Sequence, residues 1–326
     1  MVKALVTGGT GFVGSHVVRQ LIDAGHQVRV LHRTTSKLTA LDGLDYEAAI
    51  GTLSDRDALQ AACEGIDWVF HIAAVADYWR ADKSRMFAAN VEGTRNVLRA
   101  ARHAGVKRVV FTSSAAAIGL HNNRPSHEKD RFNLPPQQFP YGYSKHLAEQ
   151  VVAEAVRDGL EVITVNPVVV MGPGDLNMIS GSFVKQIKQL GPLVPVTSGG
   201  IAVADVRDVA RWHILAAEKG QSGERYILGT SNHSYSVWYG MIADAVGVRR
   251  PFLMLPDFVA PIVANVIALL RQVGVQTVVD ATQARMGVQN IYFDYQKTWD
   301  VFGVPKIDMR QSLADTTAWY REHGYL

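Results

Sequence analysis

The chain has 326 residues, 48% of them hydrophobic and 19% charged, with a formal net charge of +3. Such a composition buries a substantial core and excludes disorder, and no Lys/Arg cluster interleaved with aromatic residues invites a nucleic acid. The single cysteine, Cys63, excludes an intrachain disulfide and suits a reducing cytoplasm, the expected location.

The apolar run Val2–Val6 predicts a first strand, and Thr7-Gly8-Gly9-Thr10-Gly11-Phe12-Val13-Gly14 follows at once. Strand and motif leave no room for a signal peptide, so a mature start at Met1 is expected. Glycines at 8, 11 and 14 let the chain turn sharply out of a strand, bring backbone close to a pyrophosphate, and pack the next helix on the sheet. A helix opening at Gly11 aims unpaired N–H groups and its positive dipole end at phosphates. Val13, Val17, Val18, Leu21 and Ile22 carry that helix, Gly25 ends it, and Gln27–Leu31 reads as a second strand.

The second strand runs into His32-Arg33-Thr34-Thr35-Ser36-Lys37, where NAD enzymes place a carboxylate for the ribose hydroxyls. Arg33, helped by Ser36 or Lys37, suits an anionic 2′-phosphate, which favours NADP(H). Were Arg33 merely to stack on adenine, NAD(H) would serve. Further strands are expected at 68–72, 108–112, 162–165, 202–206 and 225–228, with helical patterns between, one of which carries Cys63 as a packing residue. The alternation means a doubly wound parallel α/β sheet.

Tyr141-Gly142-Tyr143-Ser144-Lys145 opens a helix whose apolar residues keep i, i+4 spacing through Val156. Tyr141 and Lys145 share a face, whereas Tyr143 is turned about 200° from the lysine, so Tyr141 is the candidate acid. A nearby ammonium and a nicotinamide cation both favour phenolate; lowering a phenol pKa by roughly three units takes on the order of 4 kcal/mol.

After Pro167 the pattern loosens into Gly/Pro-punctuated segments. Residues 1–166 are therefore assigned to dinucleotide binding and 167–326 to a smaller substrate lobe, interleaved because strands return near 202–228. The apolar stretch 258–270 is shorter than the roughly 20 residues a bilayer span needs and contains Pro261 and Asn265. It reads as a packed helix, a lid over an apolar substrate mouth, or a membrane-surface element. His121, His127 and Glu128 lie in a Pro/Asn loop without zinc spacing, so no metal is expected.

These motifs resemble the extended short-chain dehydrogenase/reductases through nearly the whole chain. The resemblance is strongest to the dihydroflavonol-reductase and 3β-hydroxysteroid-dehydrogenase branch and to related NAD-dependent epimerase/dehydratases. Thr7–Gly14 matches TGxxGxxG, Tyr141 with Lys145 matches YxxxK, and Asn90-Val91-Glu92-Gly93-Thr94 resembles the NVxGT helix. His71-Ile72-Ala73-Ala74 resembles the segment after the fourth strand, and Phe111-Thr112-Ser113-Ser114 the strand presenting the catalytic serine. Pro167–Gly174 matches PxxVxGPG, and Ala202–Ala210 matches VxDVRDVA.

The resemblance implies a Rossmann fold with a smaller C-terminal substrate lobe. It implies Tyr141 as proton donor, Ser114 rather than Ser113 as the hydroxyl orienting a carbonyl, and Lys145 as the group that lowers the tyrosine pKa and bonds the nicotinamide ribose. Asn90 either extends a proton relay or is a plain polar helix residue. Implied cofactor contacts are Gly8, Thr10, Gly11, Phe12, Val13, Gly14, Arg33, Ser36, Lys37, Thr52, Leu53, Ile72, Ala73, Ala74, Thr112, Tyr141, Lys145, Pro167 and Val170. Thr52 stands where relatives often carry an adenine-contacting Asp, a role that falls to Thr52 or to backbone.

UDP-sugar relatives usually carry an arginine just before the 201–210 segment, and Ser198-Gly199-Gly200-Ile201 offers none. Tyr78, Trp79 and Pro251–Leu255 are either substrate-side apolar groups or core and lid packing. The expected function is NADP(H)-dependent reduction of an aldehyde or ketone with apolar bulk, reversible as an alcohol dehydrogenase. A sugar epimerase or dehydratase with tightly held NAD and a non-catalytic NADP(H)-sensing protein are the alternatives; intact Ser114, Tyr141 and Lys145 oppose the second. Ala/Val-rich faces at 147–156 permit a homodimer through the helices bearing Asn90 and Tyr141.

Overall fold

The computed structural model describes residues 1–76, 82–272 and 285–326. Its frame is a seven-stranded sheet in the order β3-β2-β1-β4-β5-β6-β9. The strands are β1 (Lys3–Thr7), β2 (Gln27–His32), β3 (Glu47–Ile50), β4 (Trp68–His71), β5 (Arg108–Thr112), β6 (Val162–Pro167) and β9 (Arg225–Leu228). Every pairing is parallel. The central strands read as nearly unbroken apolar runs because both faces are covered.

One face carries α1 (Phe12–Asp23) and α7 (Val206–Lys219), which bury Val17, Leu21, Val209 and Trp212 against Ala4, Val6 and Phe70. The other carries α2 (Arg56–Cys63), α4 (Gly93–His103) and α5 (Pro140–Arg157), packed on Leu5, Val69, Val109 and Phe111. Cys63 ends α2 inside that second core, where burial pushes its thiol up to about 11, as befits a packing residue.

A smaller mixed sheet has the order β10-β8-β7, built from β7 (Val169–Met171), β8 (Gly200–Asp205) and β10 (Ser231–Ser234). Helices α6 (Gly181–Leu190), α8 (Tyr235–Val246) and Met309–Glu322 pack with it around Trp238, Leu313 and Tyr320. Of the two later strands expected from the sequence, 225–228 returns to the main sheet beside β6, whereas 202–206 belongs to this smaller sheet and stops at Asp205. The Asp205 carboxylate accepts the Arg207 N–H at 2.8 Å and so caps α7, ending the strand there. Among the described residues, no helix is long and apolar enough to cross a membrane.

Candidate active site

The carboxyl ends of β1, β2, β4, β5 and β6 open into one cleft of about 1470 Å³, lined by Thr7, His32, Ile72, Thr112 and Pro167 among others. This is where an open α/β sheet holds ligands. One part of its lining is the glycine turn. Gly8 has φ +76°, and a Cβ there would lie 2.6 Å from the Ala73 nitrogen. A Cβ on Gly14 would collide with the Gly8 carbonyl, while the Gly11 N–H donates to that carbonyl at 3.0 Å. With α1 starting at Phe12 behind Gly11, the turn is a glycine-rich cradle at a helix N-terminus, and its residues fit a dinucleotide pyrophosphate.

Thr10, Phe12, Val13, Arg33, Ser36, Thr52, Leu53, Ala73, Ala74 and Val170 line the same cleft. Arg33 is exposed, and its backbone N–H donates to Ser36 Oγ at 3.2 Å, closing the small turn that presents both. Lys37, expected to assist it, is exposed and does not line the cleft, because that turn carries the chain away after Ser36. The Thr52 hydroxyl pairs with Ser54 Oγ at 2.9 Å.

Elsewhere in the same cleft, Ser114 follows β5 and caps a short turn, its Oγ accepting the Ala116 N–H at 3.2 Å. Its hydroxyl is also hydrogen-bonded to Tyr141, in the first turn of α5 behind Pro140. Ser113 is tied elsewhere, donating to Glu149 at 2.5 Å. Glu149 also accepts from Asn166 at 2.7 Å and from Arg225 at 3.0 Å, so this carboxylate pins the strand ends beneath the site. Tyr143 packs among Phe87, Phe132 and His146, as its angle on the helix requires.

Lys145 is buried one turn from Tyr141. Its Nζ donates to the Thr112 carbonyl at 2.9 Å and sits 5.3 Å from the centroid of the Phe111 ring. Burial pulls the ammonium down to about 8, and the charge on Glu149 works against that fall. The sequence places charges beside Tyr141 to lower its pKa. In the structure burial holds the phenol above its ordinary value, and the opposing pull comes from its hydrogen bond with Ser114.

Asn90 is buried in a π-helical turn, Ala88–Glu92. Its Oδ1 accepts the Val75 N–H at 2.8 Å, and its Nδ2 donates to the Val75 carbonyl at 3.2 Å and to Ser144 Oγ at 3.0 Å.

The remaining wall mixes apolar residues with Asp175, Asn177, Ser180, Ser182, Gln186 and Thr197. Ala260, Val263 and Ile267 of α9 (Val259–Gln272) line it at helical spacing, so this helix lies along the cleft. Of Pro251–Leu255 only Leu255 reaches the lining, while Phe252 and Met254 are exposed. Tyr78 and Trp79 lie outside the described residues. Phe139, Phe183, Val194 and Tyr239 also line the cleft and were not foreseen; they come from separate elements with no shared spacing to betray them. His121 and His127 flank Asp130, which also pairs with Arg124 at 2.7 Å, while Glu128 accepts the Ile227 N–H at 3.1 Å. Among the described residues, no three such groups are placed to share a metal ion.

The profile of the NAD dependent epimerase/dehydratase family matches residues 4–229. A provisionally named dihydroflavonol 4-reductase of Synechocystis sp. is 34% identical, covering 98% of this chain and 95% of its own. Cinnamoyl-CoA reductase 1 of Petunia hybrida is 33% identical over 98% of this chain and 92% of its own. The crystal structure of gox2253 superposes with a TM-score of 0.88 at 36% identity, covering 100% of both chains.

Proposed function

The chain belongs to the NAD-dependent epimerase/dehydratase family, whose cofactor is a nicotinamide dinucleotide, and we propose that it is an NADP(H)-dependent reductase of an aldehyde or ketone. In reverse it acts as an alcohol dehydrogenase. One observation carries this reading: the hydrogen-bonded hydroxyls of Ser114 and Tyr141 line one cleft with the glycine turn and with apolar residues of α9, and Lys145 lies one turn behind.

A dinucleotide held by its pyrophosphate in the cradle would supply or take the hydride. The chain's own residues handle the oxygen. Ser114 holds the carbonyl oxygen by a hydrogen bond, Tyr141 delivers the proton as negative charge builds there, and Lys145 stabilises the phenolate left behind. Arg33, at the end of β2 where a carboxylate would serve the ribose of NAD, offers a planar cation to a 2′-phosphate.

The substrate carries apolar bulk, because Leu255, Val263 and Ile267 line one side of the cleft. Among the described lining residues the Lys and Arg side chains are Arg33, Arg85 and Lys145. The segment before Ile201 adds none, which leaves a sugar-nucleotide diphosphate without its usual partner. Relatives named as reductases point the same way. The test is NADPH oxidation against a panel of apolar ketones and aldehydes, run beside Tyr141→Phe. Turnover in the native chain, with a loss of about a hundredfold or more in the variant and unchanged NADPH affinity, supports the reading; full activity in the variant overturns it.

A further inference from the structure

Five buried polar side chains between the glycine turn and α5 form two hydrogen-bonded runs that meet at Asn90, one through its backbone carbonyl and one through its side chain, and the direction of each bond can be worked out. Thr7, His71, Asn90, Thr94 and Ser144 are each at most 1% exposed. The Thr94 hydroxyl donates to the Asn90 backbone carbonyl at 2.7 Å, so its oxygen must accept from His71 Nε2, 3.0 Å away. His71 therefore carries its proton on Nε2, and Nδ1 is left to accept from the Thr7 hydroxyl at 2.8 Å. Thr7 Oγ1 in turn receives the Ala73 N–H at 3.3 Å. The second run leaves the Asn90 side chain through Nδ2 to Ser144 Oγ, which donates to the Tyr141 carbonyl at 2.7 Å.

The outer ends of these runs touch the two halves of the site. Thr7 leads into the glycine turn, and Ala73 is the backbone against which Gly8 closes. Tyr141 is the proposed proton donor. We propose that His71, in its neutral Nε2–H form, is a positioning residue that couples the nucleotide cradle to the placement of Tyr141. This rests on the dinucleotide reading above. Both ring nitrogens are already committed, so a second proton would turn the Thr7 hydroxyl from donor to acceptor and leave its hydrogen without the ring nitrogen it now bonds. The surroundings forbid that proton in any case: burial and the nearby Lys145 charge take the imidazole down to about 3.

Thr94 does not line the cleft, so it offers a clean way to cut the first run. NADPH dissociation constants are measured by fluorescence for the native chain, Thr94→Val, Thr7→Val and the double variant. Thr94→Val is expected to weaken NADPH about three- to tenfold, Thr94→Ser to restore it, and the double variant to be no worse than Thr7→Val alone. Unchanged affinity in folded Thr94→Val, or effects that simply multiply, overturns the coupling. A native chain that binds neither NADPH nor NADH instead overturns the proposed function itself. Nitrogen-15 NMR of the histidines in the native chain needs no variant to fold. The His71 signals should report Nε2–H at pH 7 and at pH 5.5, and an Nδ1–H or doubly protonated ring contradicts the assignment.

Discussion

Lys145 hangs its ammonium on the carbonyl of Thr112, 2.9 Å away, and thereby stands beside Tyr141 without touching solvent. A buried lysine brought down to about 8 loses its charge within the range where enzymes are assayed. The proposed reaction needs the ammonium, so kcat for carbonyl reduction falls as pH rises through about 8. Glu149, four residues on, favours the charge, so Glu149→Gln moves the fall to lower pH. A profile flat to pH 10, or a variant limb displaced to higher pH, removes Lys145 from the role.

Arg33 decides between the two nicotinamide cofactors. Arg33→Asp replaces a phosphate-binding cation with the carboxylate that suits ribose hydroxyls, so NADPH affinity drops by roughly 10- to 100-fold while NADH affinity holds or improves. Titration of both cofactors into both proteins checks it. Equal losses for NADPH and NADH would show that the arginine does not read the 2′-phosphate.

Among the apolar residues of α9, Ile267→Asp places a charge where that helix meets the cleft. KM for an apolar ketone should rise about tenfold or more, with NADPH affinity unchanged. Steady-state kinetics on any substrate found in the panel measures it, and an unaltered KM would detach this helix from substrate binding.

Two buried histidines make the fold sensitive to acid. Burial takes His71 to about 3 and His213 to about 4, both below the 6.5 of an exposed ring. Between those values the unfolded chain binds protons that the folded chain refuses, so stability is full above about pH 6.5 and is lost as pH falls. From pH 7 to pH 5 each ring costs about 2 kcal/mol. Urea midpoints at the two pH values should show the loss, and His213→Gln should show less of it. Equal midpoints at pH 7 and 5 would mean that the rings are not buried neutral.

The sheet was legible from the sequence where strands are covered on both faces, since Leu5, Val69 and Val109 sit in runs that only a buried strand explains. β3 was missed because Glu47-Ala48-Ala49-Ile50 lies at the sheet edge and is largely exposed, and β10 because Ser231–Ser234 carries no apolar residue. The glycine turn and the Tyr141–Lys145 spacing were legible because backbone geometry demands those residue types at those intervals. What sequence could not show was long-range pairing. Glu149 reads as a helix-surface carboxylate until Ser113, Asn166 and Arg225 converge on it, and nothing local to His71 announces Thr7 and Thr94 on either side. The apolar lining of the cleft was legible only in part: the 258–270 stretch and Leu255 stood out, whereas Phe183 and Tyr239, from α6 and α8, share no period.

The most direct test is to denature freshly purified protein, identify any nucleotide it releases, and titrate the nucleotide-free protein with NADPH and NADH by fluorescence. A reductase exchanges its cofactor on every turnover. The account predicts protein that binds NADPH reversibly and much more tightly than NADH. Stoichiometric NAD that leaves only on denaturation would contradict it and indicate an epimerase or dehydratase that keeps its cofactor through the catalytic cycle.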